Sequence, residues 1–108
     1  MDDPFLEIAA YLSGVRALPG LSLSDEARLL PAARAGDEAA ERQVIEGHLE
    51  LVALLAIRLA PEWLSSLDAV QEANLVLLRT VEDAHVDRPT RVLTERLVAH
   101  FDSLQPPS

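Results

Sequence analysis

The chain has 108 residues, 49% of them hydrophobic, with eighteen acids against nine bases, a formal net charge of -9 and no cysteine. That length fits one domain with one core, and the missing cysteine excludes a disulfide scaffold or a thiolate metal site. All nine bases are arginine, too few beside the acids to draw the chain onto a phosphate backbone, so no direct nucleic-acid binding is expected and a basic protein surface is the charged partner that fits. No apolar run approaches the roughly 20 residues of a membrane span. The first residues carry Asp2, Asp3 and Glu7 with no basic leader, so the expectation is a soluble, cytoplasmic protein without membrane contact.

Asp3 followed by Pro4 reads as a helix start, with Phe5, Ile8, Ala9 and Leu12 along one face. Ser13 to Leu21, holding Gly14, Pro19 and Gly20, reads as a break and loop. Ser22 with Asp25 approximates a capping box for a helix to about Ala35, and Pro31 inside it should kink or shorten it. Gly36 closes that helix and Asp37 caps the longest one, from about Glu38 to Leu59. Its apolar face is Ala40, Val44, Leu51, Leu55 and Ala56, with Ile45, Leu49, Val52 and Leu59 beside them, broad enough to be central to a bundle.

Pro61 stops this helix, and Ser65 with Asp68 caps a fourth that runs to about Asp83. Leu67, Val70, Leu75, Leu77 and Leu78 repeat there at helical spacing and predict a core face. Gln71, Glu72 and Asn74 beside them are either a contact surface or a solvated helix face. A turn through Asp87 and Pro89 leads to a last helix with Leu93, Leu97, Val98, Phe101 and Leu104 on one side. The fold predicted is all-α, about five helices in a compact bundle over residues 1–104, with a disordered tail at 105–108.

No catalytic constellation, cofactor or metal site is expected. Glu82 and His85 form one Glu-x-x-His step at a helix end, where carboxylate-bridged metal bundles need two such steps and two further glutamates. His48 and His100 read as surface or satisfied core histidines. There is no glycine-rich phosphate loop and no nucleophile motif.

Taken in order, Tyr11-Leu12, Pro19-Gly20-Leu21-Ser22, Ala35-Gly36-Asp37, His48-Leu49-Glu50-Leu51-Val52, Leu64-Ser65 and Leu67-Asp68-Ala69-Val70-Gln71-Glu72-Ala73-Asn74-Leu75 stand at ungapped spacing. This series resembles the middle of housekeeping-type bacterial sigma factors of the sigma-seventy family, from region one point two into region two. The resemblance covers about Tyr11 to Val81 and continues weakly to Leu104. It implies a helical domain like sigma region two, whose fourth helix docks on the coiled coil of the RNA polymerase beta-prime subunit. The docking residues it implies are Gln71, Glu72 and Asn74, flanked by Asp68 and Arg79. An acid and two amides suit the arginine-bearing face of a helical hairpin through charge-assisted bonds.

The departures are as informative. Where the family carries aromatics that melt the promoter, this chain has Thr90, Val92, Glu95, Val98 and Ala99, which cannot stack on bases. Between Asp87 and Leu104 three acids offset three arginines. Pro61-Glu62-Trp63 replaces a basic, glycine-rich loop, and Glu50 replaces an arginine. Ala73 and Val76 stand where the family has glycine, which predicts a bulkier docking face. The chain is expected to be a degenerate, truncated relative, ending before any promoter-reading helix. It would bind polymerase without melting or recognising promoters, as a competitor of a sigma factor or one half of a split sigma. The alternative is an interaction module with a sigma-like fold that pairs with another regulator or with itself, the self-association running through the last helix, with Leu93, Leu97, Val98 and Phe101, or through the first.

Overall fold

A computed structural model describes the backbone of residues 4–106 and the side chains of residues 7–106. Its order is α1 (Pro4–Arg16), α2 (Leu23–Arg34), α3 (Glu38–Leu59), α4 (Ser66–Glu82) and α5 (Pro89–Ser103), without a strand among the described residues. The predicted all-α fold of five helices is what the chain adopts. The expected Asp3 cap, the Phe5 side chain and residues 107–108 of the expected tail lie outside the described residues.

Local chemistry sets the helix ends. The Ser22 hydroxyl accepts from the Asp25 N–H at 3.1 Å and the Ser65 hydroxyl from the Asp68 N–H at 3.2 Å, each satisfying a donor that the first turn leaves unpaired. The Ala35-Gly36-Asp37 turn ends one helix and starts the next. Gly36, at φ 101, lets its N–H reach the Ala33 carbonyl and the Asp37 N–H reach that of Ala32, while the Asp37 carboxylate accepts from Ala39 and Ala40. Pro31 leaves α2 unbroken to Arg34, because its ring sits on the exposed side and the carbonyl it leaves without a helical donor belongs to exposed Ala27.

α3 packs against each of the other four helices, most extensively against α4 and α2. Its inward stripe is Ala40, Val44, His48, Val52, Ala53 and Ala56, and it meets Ala69, Val70, Ala73 and Leu77 of α4 and Leu93, Leu97 and Phe101 of α5 in one core. Each valine, leucine or phenylalanine buried there contributes about 1.5–3 kcal/mol, and each alanine methyl about 0.8 kcal/mol. Gly47 serves the packing of α3 directly, since a Cβ on it would collide with the Leu21 side chain. The bare backbone lets the segment before α2 cross close to the helix.

Three expectations about the core and the elements change. α1 runs through Ser13 and Gly14 to Arg16 instead of breaking, because Val15 is buried in register with Ile8 and Arg16 approaches Glu50 of α3 at 3.6 Å. Leu51 is 39% exposed, and the place it was given on the core face of α3 is held by His48, since the inward stripe advances in steps of four. Leu75 and Leu78 of α4 also face outward, for reasons given below.

One side-chain network joins three helices inside the bundle. Glu26 of α2 and His48 of α3 are 2% and 3% exposed, and both meet Thr90 of α5. The Thr90 N–H donates to Glu26 Oε1 at 3.1 Å, its hydroxyl donates to Oε2 at 2.7 Å, and His48 Nε2 lies 2.7 Å from the same hydroxyl. His48 Nδ1 donates to the Val44 carbonyl at 2.7 Å, since a carbonyl only accepts. Both carboxylate oxygens, both ring nitrogens and the hydroxyl thus have partners, which is what makes the burial of the trio tolerable.

Candidate protein-docking site

The inward stripe of α4 is Ala69, Val70, Ala73, Val76, Leu77, Thr80 and Val81. Small Ala69 and Ala73, both fully buried, admit the close approach of α3. With the helix turning about 100° per residue, this stripe puts Asp68, Gln71, Leu75, Leu78, Arg79 and Glu82 on the outside, where all six are exposed. Leu75, 45% exposed, stands between Gln71 and Arg79 one turn to either side. The outer face thus has an apolar centre and a polar rim, the make-up of a protein-binding patch. Ala73 and Val76 are buried, so they do not enlarge this face as the sequence predicted.

Glu72 and Asn74, which run together in the sequence, point about 160° apart on the helix. Glu72 turns to α5, where its Oε2 lies 2.7 Å from His100 Nε2. Asn74 turns to α1, where its Nδ2 donates to the Tyr11 hydroxyl at 3.2 Å and its Oδ1 is buried without a partner among the described residues. Gln71 lies between them and is exposed. The three predicted docking residues are therefore an exposed centre and two flanks tied to neighbouring helices.

Toward α5 the edge of α4 opens into a shallow cleft of about 350 Å³ lined by Val76, Arg79, Thr80, Arg96, Ala99 and His100. Arg96 donates to Asp83 Oδ2 at 2.8 Å, and its guanidinium, followed by the His85 N–H, holds the Asp83 carboxyl below the usual aspartate range. Arg34 of α2 closes the other side of the same helix end, donating to the Val81 carbonyl and to the Asp83 carbonyl, which also accepts from the Val86 N–H. α4 is thus capped at its first turn by Ser65 and tied at its last to α2 and α5 by Arg34 and Arg96.

Of the residues considered for self-association, Leu93, Leu97 and Phe101 are buried in the chain's own core and Val98 is 40% exposed. Glu82 and His85 are exposed at the end of α4 and in the following loop. The described residues include no group of three or more histidines and acids placed to hold a metal ion, and no described helix is long and apolar enough to cross a membrane. The positions where aromatics were expected and not found lie on α5: Thr90 enters the buried trio, Val92 is half-buried, and Glu95, Val98 and Ala99 are exposed.

The outward leucines are not legible as such, whereas His48 is the satisfied core histidine that one of its two sequence readings allows. Leu75, Leu77 and Leu78 offer competing helical stripes, and the signal that separates them is the alanine pair, since small residues mark the side where α3 comes closest.

No protein-family model matches the chain. It is similar to RNA polymerase sigma factor SigA of a Bacillus species, 35% identical over 82 residues, which are 76% of this chain and 21% of that protein. It is 34% identical over 82 residues to RNA polymerase sigma factor SigA of Clostridium acetobutylicum, again 76% of this chain and 21% of the relative. With the RNA polymerase sigma-C factor of Myxococcus xanthus it shares 31% identity over 87 residues, 81% of this chain and 30% of the relative. The chain thus spans between 21% and 30% of the length of these curated relatives. Through most of its own length, it is a relative of the bacterial RNA polymerase sigma factors.

Proposed function

We propose that the chain is a non-catalytic, sigma-like transcription regulator that docks on RNA polymerase in the cytoplasm through the outer face of α4. Asp68, Gln71, Glu72, Leu75 and Arg79 make the contact, and the beta-prime coiled coil is its target. The observation that carries the reading is the exposed leucine of that face, ringed by an amide, two acids and an arginine, on the helix whose sequence most resembles the sigma pattern. A basic hairpin meets there an apolar centre for burial and carboxylates for its arginines.

Docking on this reading occurs without melting or reading a promoter. The exposed side of α5 carries Glu95, Val98 and Ala99 where flat side chains would stack on unpaired bases, and the overall charge of -9 opposes DNA. The chain would then occupy the polymerase in competition with a sigma factor, or complete one whose promoter-reading part is another chain.

The test is binding to core RNA polymerase and to its isolated beta-prime coiled coil at low salt, comparing wild type with Glu72→Lys. Wild type should bind both, and the charge reversal should weaken binding at least tenfold. No binding by wild type ends the docking reading, and binding indifferent to Glu72→Lys moves the contact off this face. A gel shift with duplex and single-stranded promoter DNA should show no complex at physiological salt; a clear complex would contradict the DNA-silent part.

A further inference from the structure

His100 has no role in the sigma-like reading, yet it contacts the acid on the α5 flank of the proposed face. Its Nε2 lies 2.7 Å from Glu72 Oε2, with the two side chains 19% and 34% exposed, and its ring stands edge-on to Phe101 at a centroid distance of 6.0 Å. The imidazole is therefore held by the packing of α5, and it holds the glutamate in turn. A carboxylate accepts several hydrogen bonds on two oxygens. His100 engages one, and Oε1 takes none among the described residues.

We infer that His100 is the positioning residue of the docking face, fixing the Glu72 carboxylate by Oε2 while Oε1 is left for a basic side chain of the partner. The inference rests on the docking reading above. Ordering a free glutamate on a partner costs side-chain entropy, and here the fold has already ordered it.

The experiment measures affinity of the full chain for core RNA polymerase in low salt for wild type, His100→Gln and His100→Ala, with urea unfolding of each. His100→Gln, whose amide can still donate to Glu72 Oε2, should bind within about threefold of wild type, and His100→Ala several-fold more weakly with the fold intact. Equal affinity of wild type and His100→Ala overturns the inference, as does a loss in His100→Gln as large as that in His100→Ala. The pair is also read in the free chain by NMR, as a slowly exchanging His100 Nε2–H that is lost in Glu72→Ala. If wild type lacks that resonance, the positioning role fails even where docking holds; if wild type has it but never binds polymerase, the docking reading fails, and the inference with it.

Discussion

Two carboxylate–histidine contacts of this molecule use the same chemistry for different ends. At the junction of α2, α3 and α5, Glu26 and His48 meet through the Thr90 hydroxyl, each contact to it being 2.7 Å, with both residues sealed from solvent. At the edge of α4, Glu72 and His100 meet directly, also at 2.7 Å, with the carboxylate a third exposed. Burial makes the difference. In the interior an unpaired carboxylate would lose its hydration with nothing to replace it, so the inner trio is committed to itself and can only hold helices together. At the edge water can take over either partner, so the outer pair adds little to stability and leaves an oxygen for another protein.

The largest contrast is expected from removing each acid. Glu26→Leu should destabilise the fold by about 3–5 kcal/mol, because it strands the polar groups of His48 and Thr90, and urea unfolding followed by circular dichroism reads the loss directly. Glu26→Gln should stay within about 1 kcal/mol of wild type, since the amide can donate to the Thr90 hydroxyl while that hydroxyl turns to a neutral His48. A large loss for the amide would mean that the ionic charge holds the trio together more than its hydrogen bonds do.

Gly47→Ala comes next, one residue from His48 and free of any charge effect. The added methyl meets the Leu21 Cβ, which cannot swing aside like the end of a side chain, so overpacking in the upper part of its usual range, about 2–3 kcal/mol, is set against nearly 1 kcal/mol of improved helix propensity, for a net loss of about 1–2 kcal/mol in the same unfolding assay. A neutral or stabilising result would show that the segment before α2 yields easily.

Glu72→Ala should cost less than about 1 kcal/mol of stability while weakening polymerase binding about tenfold or more, the reverse of the Glu26 pattern. The smallest effect belongs to Asp83. Its carboxyl is held below the ordinary aspartate value by Arg96 and the His85 N–H, so the stabilisation it contributes is present above about pH 4 and is lost as pH falls through its lower folded value. Unfolding of wild type and Asp83→Asn between pH 5 and 2 should show a small difference that closes on acidification, and a difference that widens would reverse the assignment.

One departure from the sigma pattern has a structural partner far along the chain. Thr90 stands where an aromatic is expected, and it is hydrogen-bonded to His48, 42 residues away. A threonine in place of a ring reads, in sequence, as a loss of base stacking. In the structure it is also a gain, a hydroxyl that lets α5 accept the polar groups of α2 and α3. Similarly, Gln71-Glu72-Ala73-Asn74 looks like one polar cluster, and the helix distributes it over an exposed centre, a tie to α5 and a tie to α1.

By itself the sequence determined the helices and most of their ends, because caps and breaks are local: Ser22, Ser65, the Gly36-Asp37 turn and Pro61 act on backbone groups within a few residues. It also carried the sigma likeness, through the order of short motifs. What only the tertiary structure decided was which of several apolar stripes faced inward, that α1 continued past Gly14, and where each polar side chain found its partner. Those outcomes depend on contacts between residues far apart in the chain, such as Glu26 with Thr90 or Glu72 with His100, and helical periodicity fixes the direction of a side chain only relative to its own helix.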